Sequence, residues 1–193
     1  MRGRGDAAGA TQRLFLAVFP PADVQAAAAR AADALRAPGD GVAWVKRDNL
    51  HYTLRFLGDL GADGARRAGE AAREAASDHA PFAAALGAFG CFPDARRARV
   101  VWVGLAEGDE PMRALADSLE AALQRRGFAR ADKPFASHLT VGRVRVPADW
   151  TQKLAGAQAP AARFTVDRIL LMKSTLSPRG SVYEVVSEAK LGG

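Results

Sequence analysis

The sequence has few of the residues that build disulfides and metal centres. Its 193 residues include one cysteine and three histidines. Cys91 alone allows neither an intramolecular disulfide nor a cysteine-based zinc site, so a reducing, cytoplasmic setting is expected. Cys91 lies in FGCFP, among aromatic residues and without a nearby base. We interpret it as a buried, inert thiol rather than a nucleophile.

Long apolar runs are also absent. The longest stretches, LFLAVF at 14–19 and ILLM at 169–172, have the length of strands, whereas a membrane helix needs about 20 apolar residues. Residues 1–12, MRGRGDAAGATQ, contain basic residues with no apolar core after them. We therefore predict a flexible N-terminal tail rather than a secretory signal, and no membrane partner.

Positive charge exceeds negative charge. The chain has 27 Lys and Arg against 21 Asp and Glu, a net charge of +6. Arginines cluster at 66–67, 96–99 and 125–126. A basic surface attracts polyanions, so the balance favours a nucleic acid or nucleotide ligand, although arginines on helix faces are commonly only solvated.

Helical and strand patterns alternate along the chain. Helices are predicted at 21–37, 64–80 and 111–126, with a short one at 148–155, and strands at 13–19, 42–45, 49–57, 82–92, 99–105 and 137–146. The C-terminal part predicts a hairpin of two long strands, 163–176 and 181–190. This interleaving indicates an α/β or α+β class, and a single domain is expected over 13–193.

One short pattern occurs twice, as HYTLRFLG at 51–58 and HLTVGR at 138–143. On a strand, side chains alternate between faces, so His51, Thr53 and Arg55 share one face while Phe56 joins the apolar face. A single histidine on a strand is more often a plain hydrogen-bonded residue than a catalytic one. Two of three histidines in matched contexts favour a shared site, whereas His79, in SDHAP, is expected at the surface or at a helix end.

Two such units facing each other suit an in-line displacement at phosphorus. One imidazole takes a proton from the attacking oxygen and the other protonates the leaving oxygen. The threonine hydroxyls donate hydrogen bonds to the non-bridging oxygens. This chemistry requires no metal and no cofactor.

The two motifs resemble the paired His-x-Thr motifs of the two-histidine phosphoesterases, above all the 2′-5′ RNA ligase family, also called RNA 2′,3′-cyclic phosphodiesterases. RLFLAVFPP at 13–21 and LMKSTLSPRGSVYEVV at 171–186 resemble the opening and closing segments of that family. The resemblance implies an α+β, bilobal two-histidine phosphoesterase fold. Two pseudo-two-fold-related α/β lobes with antiparallel sheets would surround a central groove.

The resemblance also implies an activity. The family hydrolyses 2′,3′-cyclic phosphate ends of RNA to 2′-phosphates, and members join tRNA halves through a reversible, ATP-independent 2′-5′ linkage. The implied partner is therefore RNA with cyclic phosphate ends, tRNA halves among them. The implied enzyme is a cytoplasmic monomer without a cofactor.

Site residues follow from the motif positions. His51 would protonate the departing 3′ oxygen, His138 would activate water, and Thr53 and Thr140 would bind the phosphate. Arg143 resembles a phosphate clamp of the family. On an ideal strand it would point away from His138, but the preceding Gly142 could allow a bulge.

Other residues are secondary candidates. Arg55, on the face of His51, is expected to approach the groove and bind substrate. Where the family commonly has proline before the second histidine, this chain has Ser137. Aromatics at family-like positions are candidates to stack on a base, namely Phe15, Trp44, Phe89 and Tyr183.

Other functions remain open at this level. The same chemistry suits a small cyclic nucleotide or ADP-ribose cyclic phosphate, which a groove with few basic residues would favour. An RNA-binding protein with a vestigial site is the alternative of another class. A nucleotide-dependent ligase and a metallohydrolase are poorly supported, because the chain lacks a Lys-x-Asp-Gly pattern, a phosphate-binding glycine loop and carboxylates within the motifs.

Overall fold

A computed structural model describes residues 11–178 and 180–193. Residues 1–10 of the predicted tail lie outside the described residues, and the first strand begins at Gln12. The strands and helices are β1 (Gln12–Val18), α1 (Ala22–Asp33), β2 (Val42–Trp44), β3 (Tyr52–Leu60), α2 (Ala62–Ser77), β4 (Phe82–Phe92), β5 (Ala98–Glu107), α3 (Asp109–Arg125), β6 (Leu139–Ala148), α4 (Thr151–Ala155), β7 (Arg163–Val166), β8 (Arg168–Ser177) and β9 (Gly180–Lys190).

The strands form one antiparallel sheet in the order β7-β4-β5-β6-β3-β1-β8-β9, with β2 paired to β6. The sheet is curled into a half-barrel. It consists of two halves of four strands, β3-β1-β8-β9 and β6-β5-β4-β7, and each half has a motif strand at its inner edge. This arrangement confirms the predicted α+β, bilobal class.

The helices cover the sheet with small and branched apolar side chains. The buried face of α2 consists almost entirely of alanine and glycine, which lets the helix lie close to α3, β8 and β9. On α3, Met112, Leu115 and Leu119 recur at helical spacing and are fully buried. Each such side chain stabilises the fold by roughly 1.5–3 kcal/mol.

The segment predicted as one strand at 163–176 is two strands. The break falls at Asp167, between β7 and β8. β7 pairs with β4 in one half of the sheet, whereas β8 pairs with β1 and β9 in the other. The chain therefore crosses between the halves at this point, which a local pattern does not reveal.

The arginine pairs on the helices do not form a free basic surface. Arg66 pairs with Asp63 and Glu70 on α2, at the spacing of neighbouring helical turns. Arg125 and Arg126 at the end of α3 both pair with Glu74 of α2. These ion pairs offset part of the positive charge of arginines that the sequence suggested as RNA contacts. No helix of the described residues is long and apolar enough to cross a membrane.

Candidate active site

The two motif strands meet at one backbone pair, Tyr52 with Leu139. Each is the residue immediately after a motif histidine, and both are fully buried. Because side chains alternate along a strand, His51 and His138 project to the opposite face, on either side of this seam. The antiparallel pairing brings together the ends of two strands that are 87 positions apart in sequence.

Both imidazoles are oriented in the same way by the backbone. Nδ1 of His51 lies 2.6 Å from the carbonyl oxygen of Asn49, and Nδ1 of His138 lies 2.7 Å from that of Ala136. A carbonyl oxygen only accepts hydrogen bonds, so Nδ1 must carry the proton in both rings. Nε2 of each ring is then the atom left to exchange a proton with a ligand.

The site disfavours the protonated form of both histidines. Burial lowers the pKa of His51 to about 4. The positive charges of His138 and Arg143 also lower this pKa, whereas the hydrogen bond to the Asn49 carbonyl raises it. Burial and the charge of Arg143 also lower the pKa of His138. In the free protein at neutral pH, both Nε2 atoms therefore have a free lone pair.

Aromatic rings hold the two imidazoles. The His51 ring stacks on Phe19 at 4.9 Å between ring centres and lies 5.0 Å from Phe15 and 5.3 Å from Tyr183. The His138 and Phe92 rings are nearly perpendicular, with their centres 5.1 Å apart. These packed rings restrict the imidazoles to one orientation and remove water from around them, which is the cause of the lowered pKa values.

A bulge occurs at the same place in each motif. Ala17 pairs with Thr53 and Leu16 with Arg55, so Leu54 is an extra residue in β3. In the second motif, Trp102 pairs with Thr140 and Val101 with Gly142. Val141 is the corresponding extra residue of β6. Each bulge reverses the alternation of side chains three residues after the histidine.

The bulges decide which residues enter the groove. The fifth residue after each histidine, Phe56 in β3 and Arg143 in β6, lines the groove together with the histidines and threonines. A bulge was expected at Gly142, and it is present one residue earlier, at Val141. Phe56 was predicted on the core face, but its side chain is 47% exposed in the groove.

The structure places Arg55 elsewhere, which corrects the prediction made from strict alternation. Arg55 is not among the groove residues. Its Nε lies 3.1 Å from Oε2 of Glu120 on α3, and its Nη2 donates to the carbonyl of Ala129 at 2.6 Å. Oε1 of Glu120 accepts from the backbone N–H of Ala131. Arg55 therefore fixes the segment that leads to His138.

The groove has a cavity of about 570 Å³. It brings together four of the predicted residues, His51, Thr53, His138 and Thr140, with Arg143 beside them. Two further cations, Arg13 and Lys46, and the polar side chains of Asn49, Ser174 and Ser181 also line it. Among the residues that the structure describes, none that lines the groove is an Asp or Glu. The groove is therefore suited to an anionic ligand.

The aromatic candidates divide between groove and core. Phe15, Trp44 and Tyr183 line the groove, whereas Phe89 packs against the main core. The buried Ser137 does not line the groove.

The remaining predicted residues lie outside the groove. Cys91 is buried, and burial raises the pKa of its thiol to about 11, as expected for an inert cysteine. His79 follows α2 and contacts the hydroxyl of Ser118 at 2.9 Å. Sequence reasoning missed Arg13, Lys46 and Phe56, because no local signal shows which exposed side chains border a groove.

The arrangement can provide acid–base chemistry. In the part of the chain that the structure describes, no three His, Cys, Asp or Glu side chains are grouped so that they could hold a metal ion. Two imidazoles with free Nε2 atoms, two hydroxyls and an arginine instead match the requirements of a phosphoryl group in displacement.

Comparisons with known proteins agree with this geometry. The model of the 2′-5′ RNA ligase superfamily matches residues 20–177. A protein of Methanothermobacter thermautotrophicus named RNA 2′,3′-cyclic phosphodiesterase is 33% identical over 177 residues, covering 89% of this chain and 94% of its own. One of the same name from Thermotoga maritima is 30% identical over 182 residues, covering 94% and 96%.

The fold is shared with solved structures. The crystal structure of TT0787 from Thermus thermophilus superposes with a TM-score of 0.79 at 32% identity, covering 94% of this chain and 98% of its own.

Proposed function

Because the chain belongs to the 2′-5′ RNA ligase superfamily, we propose that it is an RNA 2′,3′-cyclic phosphodiesterase that converts cyclic phosphate ends to 2′-phosphates. The observation that carries the proposal is the pair of imidazoles at the seam. Each is held through Nδ1, so each presents Nε2 to the same groove. Acid–base catalysis by two groups on opposite sides of a phosphorus atom needs this arrangement.

In the proposed reaction, a water molecule attacks phosphorus while Nε2 of His138 removes its proton. The bond between phosphorus and the 3′ oxygen breaks, and Nε2–H of His51 donates its proton to that oxygen. The products are a 3′-hydroxyl and a 2′-phosphate. Exchange with solvent then returns one proton to His51 and removes one from His138. Thr53 and Thr140 donate hydrogen bonds to the non-bridging oxygens, and Arg143 balances their charge.

The acid role of His51 depends on substrate. In the free protein its pKa of about 4 leaves roughly one molecule in a thousand protonated at neutral pH. A bound phosphate anion favours the imidazolium, since an opposite charge nearby raises the pKa of a histidine. Substrate binding would therefore be accompanied by proton uptake at this site.

The charge of the groove supports RNA over a cyclic mononucleotide. Arg13, Lys46 and Arg143 line the groove, and no carboxylate of residues 11–178 or 180–193 does. A small substrate with one phosphate would need fewer cations. The same displacement with an RNA 5′-hydroxyl in place of water forms a 2′-5′ phosphodiester, so we extend the proposal to reversible, ATP-independent ligation, with tRNA halves as substrates. We propose that the protein acts in the cytoplasm as a monomer without a cofactor.

The test is turnover of a short RNA that ends in a 2′,3′-cyclic phosphate, with the 2′- and 3′-phosphate products resolved. The wild type should yield the 2′-phosphate. His51→Ala and His138→Ala should each lose about 10²- to 10⁴-fold in rate. The matched control is His79→Ala, the third histidine, which should keep the wild-type rate.

Three outcomes would contradict the proposal. A 3′-phosphate product would reverse the identity of the leaving oxygen. Full activity in either motif variant would remove that histidine from the mechanism. An inert wild type that still binds RNA would favour the alternative of an RNA-binding protein with a vestigial site.

A further inference from the structure

Phe56 and Arg13 are two groove side chains that the proposed acid–base chemistry does not use. Arg13 is on β1 and Phe56 is on β3. The guanidinium carbon of Arg13 lies over the Phe56 ring, 4.8 Å from its centre. Exposed single apolar residues are common on protein surfaces. Phe56, however, is aimed into a concave site by a bulge that the second motif repeats.

The contacts that the structure shows for the two histidines do not include this pair. Among the described residues, Phe56 is not one of the rings that pack against either imidazole. Besides burial, the charge of Arg143 lowers the pKa of both histidines, and Arg13 is not among the groups that do so. The cyclic phosphate must lie within hydrogen-bond reach of the imidazoles. Arg13 covers one face of the Phe56 ring, and Phe56 is still 47% exposed. The remaining exposed surface of the ring can therefore contact a more distant part of the substrate.

The groove also holds more positive charge than one phosphate needs. A 2′,3′-cyclic phosphate carries a single negative charge. Arg143, which holds the position in the second motif that Phe56 holds in the first, lies next to both histidines and can balance that charge. Neither Arg13 nor Lys46 forms an ion pair with any carboxylate among the described residues. Additional phosphodiesters of an RNA chain would supply the missing negative charge.

We propose that Phe56 and Arg13 form a second nucleotide subsite. Phe56 stacks on the base that precedes the cyclic phosphate end, and Arg13 contacts the phosphodiester that links the two nucleotides. Aromatic side chains bind single-stranded RNA in this way, because every base has a π-face. The inference rests on the proposed function and deepens it: the enzyme distinguishes an RNA end from a free cyclic mononucleotide.

The experiment compares two substrates with the same reacting end, adenosine 2′,3′-cyclic phosphate and the dinucleotide ApA with a terminal 2′,3′-cyclic phosphate. For the wild type, kcat/KM should be roughly 5- to 150-fold higher for the dinucleotide, the range expected from stacking of one base. In Phe56→Ala and Phe56→Leu this ratio should fall by roughly the 5- to 150-fold that stacking supplies, leaving only the preference that the contact of Arg13 with the linking phosphodiester provides. Leucine keeps the apolar volume but lacks the π-face.

Arg13→Gln tests the charge. It should reduce the ratio and lower the salt dependence of dinucleotide binding, by about 0.7 in the slope of log affinity against log salt. Val146→Ala is the matched control, because Val146 is a 74% exposed apolar residue of β6 outside the groove. It should leave the ratio at its wild-type value. Thermal midpoints establish that each variant is folded.

The outcomes separate this inference from the proposed function. If the wild type hydrolyses both substrates with equal kcat/KM, the cyclic phosphodiesterase activity stands and the subsite is refuted. The subsite is also refuted if Phe56→Ala lowers kcat/KM by the same factor for both substrates. If the wild type hydrolyses neither, the proposed function fails, and the subsite that rests on it fails as well.

Discussion

Replacing His51 by glutamine should remove part of the acid sensitivity of the fold. Burial lowers the pKa of His51 from 6.5 to about 4 in the folded protein, while the unfolded chain keeps the ordinary value. The unfolded state therefore binds a proton more readily between these pH values. The stability linked to neutral His51 is fully present above pH 6.5 and is lost as pH falls through about 4. Between about pH 7 and about pH 4.5, the loss amounts to roughly 2 kcal/mol.

Urea unfolding followed by tryptophan fluorescence measures this contribution. The carboxylates that titrate in the same range are common to both proteins, so the difference in unfolding free energy between wild type and His51→Gln isolates the histidine. That difference should shift by roughly 2 kcal/mol in favour of the variant on acidification. His138→Gln should shift in the same direction, because burial also lowers the pKa of His138. A difference that stays constant within about 0.5 kcal/mol would refute the assignment of a buried, neutral His51.

Three further predictions concern activity and the support of the site. The pH profile of kcat/KM should be bell-shaped with both limbs below pH 6.5, because both imidazoles have lowered pKa values in the free protein. A flat profile from mildly acidic to mildly basic pH would contradict two-histidine catalysis. Arg55→Ala should lower the unfolding free energy by about 1–3 kcal/mol, because Glu120, whose side chain is only 22% exposed, loses its cation. A urea midpoint equal to that of the wild type would argue against a stabilising role for Arg55. A chelator should leave the hydrolysis rate unchanged, whereas loss of activity that a divalent ion restores would exclude the metal-free mechanism.

The sequence was sufficient to predict the parts of the site that depend on local pattern. The His-x-Thr spacing follows the two-residue period of a strand, so His51 and Thr53 share a face in sequence and in structure alike. The same holds for His138 and Thr140. Most helices could be located because proline, glycine and apolar spacing act within a few residues.

What strict alternation could not predict is set by neighbouring strands. The bulge at Leu54 exists because of the register between β1 and β3, and it exchanges the faces expected for Arg55 and Phe56. The arginine pairs likewise appeared as free positive charge in sequence, whereas Glu74 on α2 forms ion pairs with both Arg125, the last residue of α3, and Arg126, which follows it. Such contacts between distant segments depend on tertiary packing, which one sequence does not display.

The hydrogen bonds from Nδ1 have a consequence for how this site can vary. In a Ser-His-Asp triad, a carboxylate side chain orients the histidine, and its substitution is costly. Here the acceptors are the backbone carbonyls at Asn49 and Ala136, which every amino acid provides. Substitution at these two positions leaves the acceptor in place as long as the backbone keeps its path. Evolution can therefore change the residues around the histidines, and with them the preferred substrate, without losing the backbone hydrogen bonds that orient the imidazoles.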